Sequence, residues 1–312
     1  MTSIYSEADI ITIRNNGFDF TLPEETIDTI SKISDQVGAP SYIKTPIFPK
    51  SRTNKKNNVS NAPYVSSIFN NTEGVDKTIS HIRAQLNKLS NTNYDNVADI
   101  ISENIQLLLD NDTSKDELIK VANFVLETAS NNAFYSEIYV ELYCDLTKRF
   151  PLFETLFEES FKKYLEMYDN ITSYSDNDDY DAFCNQNLIN STRRAFTTFI
   201  VNLCIKRKIT NDRLFDLCWK LQISFDASIL EEGNKPLCDE LCENIFIIMT
   251  KGYNCLKTQN KYASLNGKMT IVKNTNAKDV KSLTSKSKFK YYDMFDFVEK
   301  LEKETKDKNE EK

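Results

Sequence analysis

Beyond about residue 76 the apolar positions of this chain recur every three or four residues, the spacing of one face of an α-helix, and short polar breaks separate the runs. Tyr94, Val97, Ile100, Ile101, Ile105 and Leu108 share a face; Ser114 with Glu117 then offers a capping box ahead of Leu118, Val121, Ala122 and Val125. These two runs predict a helical hairpin. Tyr135, Ile138, Tyr139, Leu142, Tyr143 and Leu146 repeat the spacing up to Lys148 and Arg149, whose charges suit a helix C-terminus, and Pro151 punctuates the chain before Phe153, Leu156, Phe157, Phe161, Tyr164 and Leu165. A third pair passes through Phe196, Phe199, Ile200, Leu203 and Cys204, ends on Lys206, Arg207 and Lys208, and turns at Thr210 into Leu214, Leu217, Cys218 and Leu221. Cys238, Leu241, Cys242, Ile245, Ile248 and Met249 define a further helix with Gly252 as its expected C-cap. After a weaker stretch over 256–285, Tyr291, Met294, Phe295, Val298 and Leu301 mark the last helix, and the polar residues 304–312 are expected to be a disordered tail.

Successive helical hairpins of about 40 residues, with no strand pattern between them, predict an all-α fold: a HEAT/ARM-like α-solenoid of about five hairpins over residues 74–303. A compact helical bundle is the structural alternative. The segment ahead of it has a different character. Five of the seven prolines (Pro23, Pro40, Pro46, Pro49 and Pro63) lie within it, among Asn, Ser and Lys, as in extended segments that bind partners. Residues 1–20 read as a peptide, and 21–73 as a short helix and a basic flexible linker. In the helix, Thr21 to Val37, Ile27, Ile30, Ile33 and Val37 form a rough stripe; the linker runs over Lys44 to Asn58.

Composition removes several classes of chemistry. The one histidine, His81, rules out paired-His zinc sites and most catalytic triads, and six scattered glycines do not supply a phosphate-cradling loop. Asp176 to Asp181 is acidic but lacks the glycine and distal glutamate of a calcium loop, so an inter-helix loop is expected there. No catalytic residue, cofactor or metal site is expected. Seven cysteines without a C-x-x-C pattern read as reduced thiols on apolar helix faces, and no run is apolar enough to span a membrane, so the expected location is cytoplasmic. A net charge of −7 argues against a surface that embraces nucleic acid as a whole, which leaves a local basic strip as the alternative.

Five segments, in order, resemble the helicase-binding middle domain of the eukaryotic translation initiation factor 4 gamma family. Ile82-Arg83-Ala84-Gln85-Leu86-Asn87-Lys88-Leu89-Ser90, with Tyr94 after it, is similar to that domain's opening; Asn131 to Tyr139 resembles its turn into an aromatic-rich third helix. Arg193-Arg194 followed by Phe199-Ile200-Val201-Asn202-Leu203-Cys204 and Ile209-Thr210 resembles its long basic helix, and Cys238 to Lys251 the helix that follows. Ser285-Lys286-Ser287-Lys288-Phe289 is similar to the closing S-x-R-x-R-F, with lysines in place of arginines. The resemblance implies a non-enzymatic scaffold, a monomer within a hetero-complex, that binds a DEAD-box RNA helicase and has some affinity for RNA. Helicase contacts are expected at Phe199, Asn202, Lys206, Lys208, Lys286, Lys288 and Lys290. In the leader, Tyr5, Ile10 and Ile11 resemble the tyrosine peptide by which the family engages the mRNA cap-binding protein, with Ile10 where Leu is usual, and Arg14 is placed to meet an acidic rim. The rival reading is an RNA-binding or mRNA-processing scaffold of the same domain type, in which Lys50, Arg52, Lys55 and Lys56 clamp phosphates.

Overall fold

A computed structural model describes residues 6, 11–12, 22–36, 74–168, 171 and 180–310. Among them the chain is all-helical, with eleven helices and no strand. The chain divides into two compact units, Met1–Pro63 and Tyr64–Lys312. The first contributes α1 (Glu24–Gln36), begun by Glu24 and Glu25 in the first turn, where carboxylates favour the dipole; Ile27, Ile30 and Ile33 on it are exposed. Val37, placed on the same stripe by the spacing, lies outside the described residues.

The second unit holds α2 (Gly74–Leu86), α3 (Tyr94–Asp110), α4 (Lys115–Ser130), α5 (Ser136–Arg149), α6 (Leu152–Glu166), α7 (Tyr180–Ile205), α8 (Asn211–Ser228), α9 (Lys235–Leu256), α10 (Tyr262–Asn274) and α11 (Ser285–Glu310). Contacts run between helices one or two apart in the chain, the short-range pattern of a solenoid, save that α4 also reaches α7, three further on. They resolve into two layers. In one, α3, α5, α7, α9 and α11 pack each on the next without a break; in the other, α2 packs on α4 and α4 on α6, and α8 packs on α10. Between α6 and α8 the link is made by side chains instead, by the ion pair of Arg213 with Glu158, and beside it Lys208, in the turn before α8, pairs with Glu154; the four border a cavity of about 360 Å³. The sequence paired α3 with α4; α2 packs on α3 as well, and α3, α4, α5 and α8 each pack on both chain neighbours.

Local signals explain most boundaries. The Ser114 hydroxyl accepts from the Glu117 amide at 3.4 Å and donates to the Glu117 carboxylate at 2.8 Å, so the capping pair closes on itself rather than reaching back to the Ser114 amide. Thr210 caps α8 by accepting from the Arg213 amide at 3.2 Å. Two expectations are corrected. Gly252 does not end its helix, which runs on to Leu256; a methyl group on it would lie 3.0 Å from Leu214 Cδ2 and 3.4 Å from Val201 Cγ1. Glycine is needed there for close approach of α9 to α7 and α8, not for a turn. The polar tail is also helical, as far as Glu310: Lys303 pairs with Glu299 one turn back at 2.6 Å, and Lys and Glu are good helix formers. The weak stretch after residue 256 contains α10, whose apolar face is narrow: Leu265, Met269 and Val272 are its buried residues.

A buried carboxylate joins α7 to α9. Glu240, 1% exposed, receives Arg194 Nε at 3.1 Å and Nη2 at 2.5 Å, while the equally buried Arg193 stands 3.6 Å from its other oxygen. Asn244, one turn on, donates to Glu240 Oε1 at 3.0 Å and accepts from Thr197, which also bonds the Tyr164 hydroxyl of α6 at 2.8 Å. Arg193 in turn donates to the Met167 carbonyl at 2.8 Å and lies over the Tyr168 ring. Breaking a buried ion pair from one side leaves a charge without compensation, at a cost of about 3–5 kcal/mol. Glu240→Ala is therefore expected to lower unfolding free energy by that order in urea denaturation, and Arg194→Ala, whose side chain is 38% exposed, by clearly less.

Candidate interaction surface

The basic end of α7 is shaped by its C-terminal hydrogen bonds. The Lys208 amide donates to the Leu203 carbonyl at 2.8 Å and the Arg207 amide to Cys204 at 2.9 Å, and this wrap puts Arg207 at φ 59°, the left-handed region that glycine fills without cost. Either side of it the lysines are paired across helices. Lys206 meets Glu141 of α5 at 3.5 Å and Lys208 meets Glu154 of α6. Below the turn, Arg213 forks onto Glu158 at 2.6 and 2.7 Å and covers the Phe161 ring, and that hydrogen bonding, against a smaller effect of burial, holds the Glu158 carboxyl below its ordinary value. Asp145, beside the same turn, is pushed up by burial, but hydrogen bonds from Lys148 and Tyr94 outweigh this and lower it. Arg207 alone among these cations is exposed and has no acidic partner among the described residues.

Aromatic surface lies at the start of α5. Asn202, on the last turn of α7, donates to the Ser136 hydroxyl at 3.0 Å and so seats the first residue of α5. Immediately before Ser136, Phe134 and Tyr135 stack edge to face at 4.8 Å, with Phe134 87% exposed. The bare Phe134 ahead of α5 and the unpaired Arg207, which lies by Cys144, Asp145 and Lys148 two to three turns further along that helix, are separate exposed features, one apolar and one cationic.

The expected helicase contacts are thus redistributed. Phe199 is fully buried against Tyr143 and Phe157 in the core, and Asn202 is a buried bridge between α7 and α5, so neither is presented to a partner; their apolar helical register made them core residues. Lys206 and Lys208 border the surface as members of ion pairs. Lys286 and Lys290 both close on Glu243 of α9, at 3.4 and 3.2 Å, Lys290 also lies 4.1 Å over the Phe246 ring, and Lys288 lies over Tyr292. Burial pushes the Glu243 carboxyl up, yet Lys290 and Lys286 bring it below its ordinary value. Ser287 is buried and donates to Asp239 at 2.7 Å, so the serine and lysine run dock α11 onto α9. At about 1.5 Å per residue, Glu243 and the C-terminal turn of α9 are about 18 Å apart, which separates these lysines from the Arg207 turn. Ile11 is helical and exposed; Tyr5, Ile10, Arg14, Lys50, Arg52, Lys55 and Lys56 lie outside the described residues, as does most of the acidic loop from Asp176.

Arg207 stood in the sequence within a basic run, and only its backbone angle and lack of a partner set it apart. Replacing it with glycine removes a left-handed penalty, so Arg207→Gly is expected to raise unfolding free energy by about 0.5–1 kcal/mol in chemical denaturation. No protein-family model matches this chain, and no curated protein matches it closely enough to count as a relative.

Proposed function

We propose that the chain is a translation-initiation scaffold of the initiation factor 4 gamma type, non-enzymatic and cytoplasmic. Its helical stack holds a DEAD-box RNA helicase and its leader engages the mRNA cap-binding protein. One observation supports the reading: of the five segments that resemble the family, the first spans the end of α2 and the other four, in order, lead into α5 or lie on α7, α9 and α11, four of the five helices of the unbroken layer. The helicase contact is assigned to Arg207 with Phe134 and Tyr135, in place of the buried Phe199 and Asn202, and the cap-binding contact to Tyr5, Ile10 and Ile11.

The test compares the full chain with Arg207→Glu/Phe134→Ala and with Tyr5→Ala/Ile10→Ala, reading capture of a purified DEAD-box helicase and of the cap-binding protein, and stimulation of the helicase ATPase. The first variant is expected to weaken helicase capture at least tenfold and spare cap-binding-protein capture; the second is expected to do the reverse. Absence of both partners from the full chain, with RNA retained and lost steeply as salt rises, would reject the reading in favour of an RNA-binding scaffold.

A further inference from the structure

The seam between α7 and α9 ends in two thiols. The two helices run parallel along it: Arg193 and Arg194 face Glu240, Thr197 faces Asn244, Val201 lies against Gly252, and Cys204 and Cys255 each follow three residues on, ahead of the contact of Asn211 with Thr258. Helices in ordinary side-chain contact hold their axes about 8–10 Å apart, whereas a disulfide asks for Cα atoms about 5.5–6 Å apart, so cysteines on neighbouring helices suit each other only where the backbones come close. Gly252 supplies that close approach one turn before the pair. The polar surroundings fix both ends. Cys204 Sγ donates to Asn211 Oδ1 at 3.3 Å, Asn211 Nδ2 donates to Thr258 Oγ1 at 3.3 Å, and the Thr258 hydroxyl donates to the Cys255 carbonyl at 2.8 Å, a chain of bonds from the Cys204 sulfur to the backbone of Cys255. Both cysteines are free thiols, Cys204 buried and Cys255 partly exposed.

We infer that Cys204 and Cys255 form a reversible intramolecular disulfide when the protein meets hydrogen peroxide, and that the bond clamps the C-terminal ends of α7 and α9 together. The partly exposed Cys255 is the thiol that peroxide reaches. Its sulfur takes one oxygen as the O–O bond breaks, giving a sulfenic acid and, once the hydroxide that leaves is protonated, one water. Cys204 then attacks that sulfur: the S–S bond forms, the S–O bond breaks, and the departing hydroxide takes up the proton that Cys204 gives up. Two thiols and one peroxide become one disulfide and two waters. Burial, with the neighbouring Cys255 sulfur adding to it, pushes the Cys204 thiol up to about 12, so it does not react first but serves as the resolving partner held in place. The other cysteines have no such facing partner: Cys184 is exposed, and Cys238 and Cys242 sit a turn apart on the same helix.

This inference stands apart from the translation reading and is tested without any partner. The full chain is treated with submillimolar hydrogen peroxide, its remaining thiols are alkylated, and it is digested without reductant and mapped by mass. A linked peptide pair carrying Cys204 and Cys255 is expected, cleaved by dithiothreitol and absent from Cys255→Ser. Because the bridge closes a loop of about 50 residues, the oxidised chain is expected to melt about 5–10 °C above the reduced chain. Sulfinic or sulfonic acid at Cys255 with no linked peptide, or links that join other cysteines or two chains, would overturn it.

Discussion

Everything in the stack is referred to a single carboxylate. Glu240 is inside the protein, and an ionised carboxylate there is tolerable only while its oxygens are filled, which Arg193, Arg194 and Asn244 do together. The demand is geometric. A hydrophobic seam between α7 and α9 would tolerate a slip of one turn at modest cost; a charge that must meet two guanidinium groups would not. The fixed register then places Gly252 on Val201 and brings α9 against α8 and α11, and through Thr197 and Tyr164 it also anchors α6. Two cations around one anion leave an excess positive charge, which the Tyr168 ring and the Met167 and Asn190 oxygens help to hold.

The helices were legible because each buries one narrow face and their caps are local: Ser114, Pro151 and Thr210 all sit where the spacing put an end. What was not legible depends on atoms distant in sequence. Gly252 reads the same as a helix stop and as a contact point, and only Val201 and Leu214, about 40–50 residues earlier, decide between them. The tail after Leu301 has no apolar residue to announce a packed helix, yet helix propensity and Lys303 with Glu299 suffice to continue one that is already nucleated. The break between α6 and α8 leaves no trace in the apolar periodicity, because both helices remain amphipathic on either side of it.

The candidate surface was legible only as a run of charge. Sequence shows Lys206, Arg207 and Lys208 as equals, while the fold hands Glu141 to one and Glu154 to another and leaves the middle residue alone. The same arithmetic disposes of Lys286 and Lys290, which share Glu243. Phe199 and Asn202 failed as surface residues for the opposite reason: they follow the helical period that defines the core, and a resemblance between sequences carries such residues along with the exposed ones.

The cleft between α6 and α8 gives the stack an uneven stiffness. The unbroken layer is joined at α7 and α9 by a charge buried beyond the reach of salt, whereas the other layer is spanned at this point by Arg213 with Glu158 and Lys208 with Glu154, whose carboxylates are exposed and whose attraction is screened over a Debye length of about 8 Å at physiological ionic strength. Salt can therefore reach the attachment of α6 to the turn before α8 while the carboxylate between α7 and α9 stays sheltered from it, so the two layers do not share one sensitivity to ions.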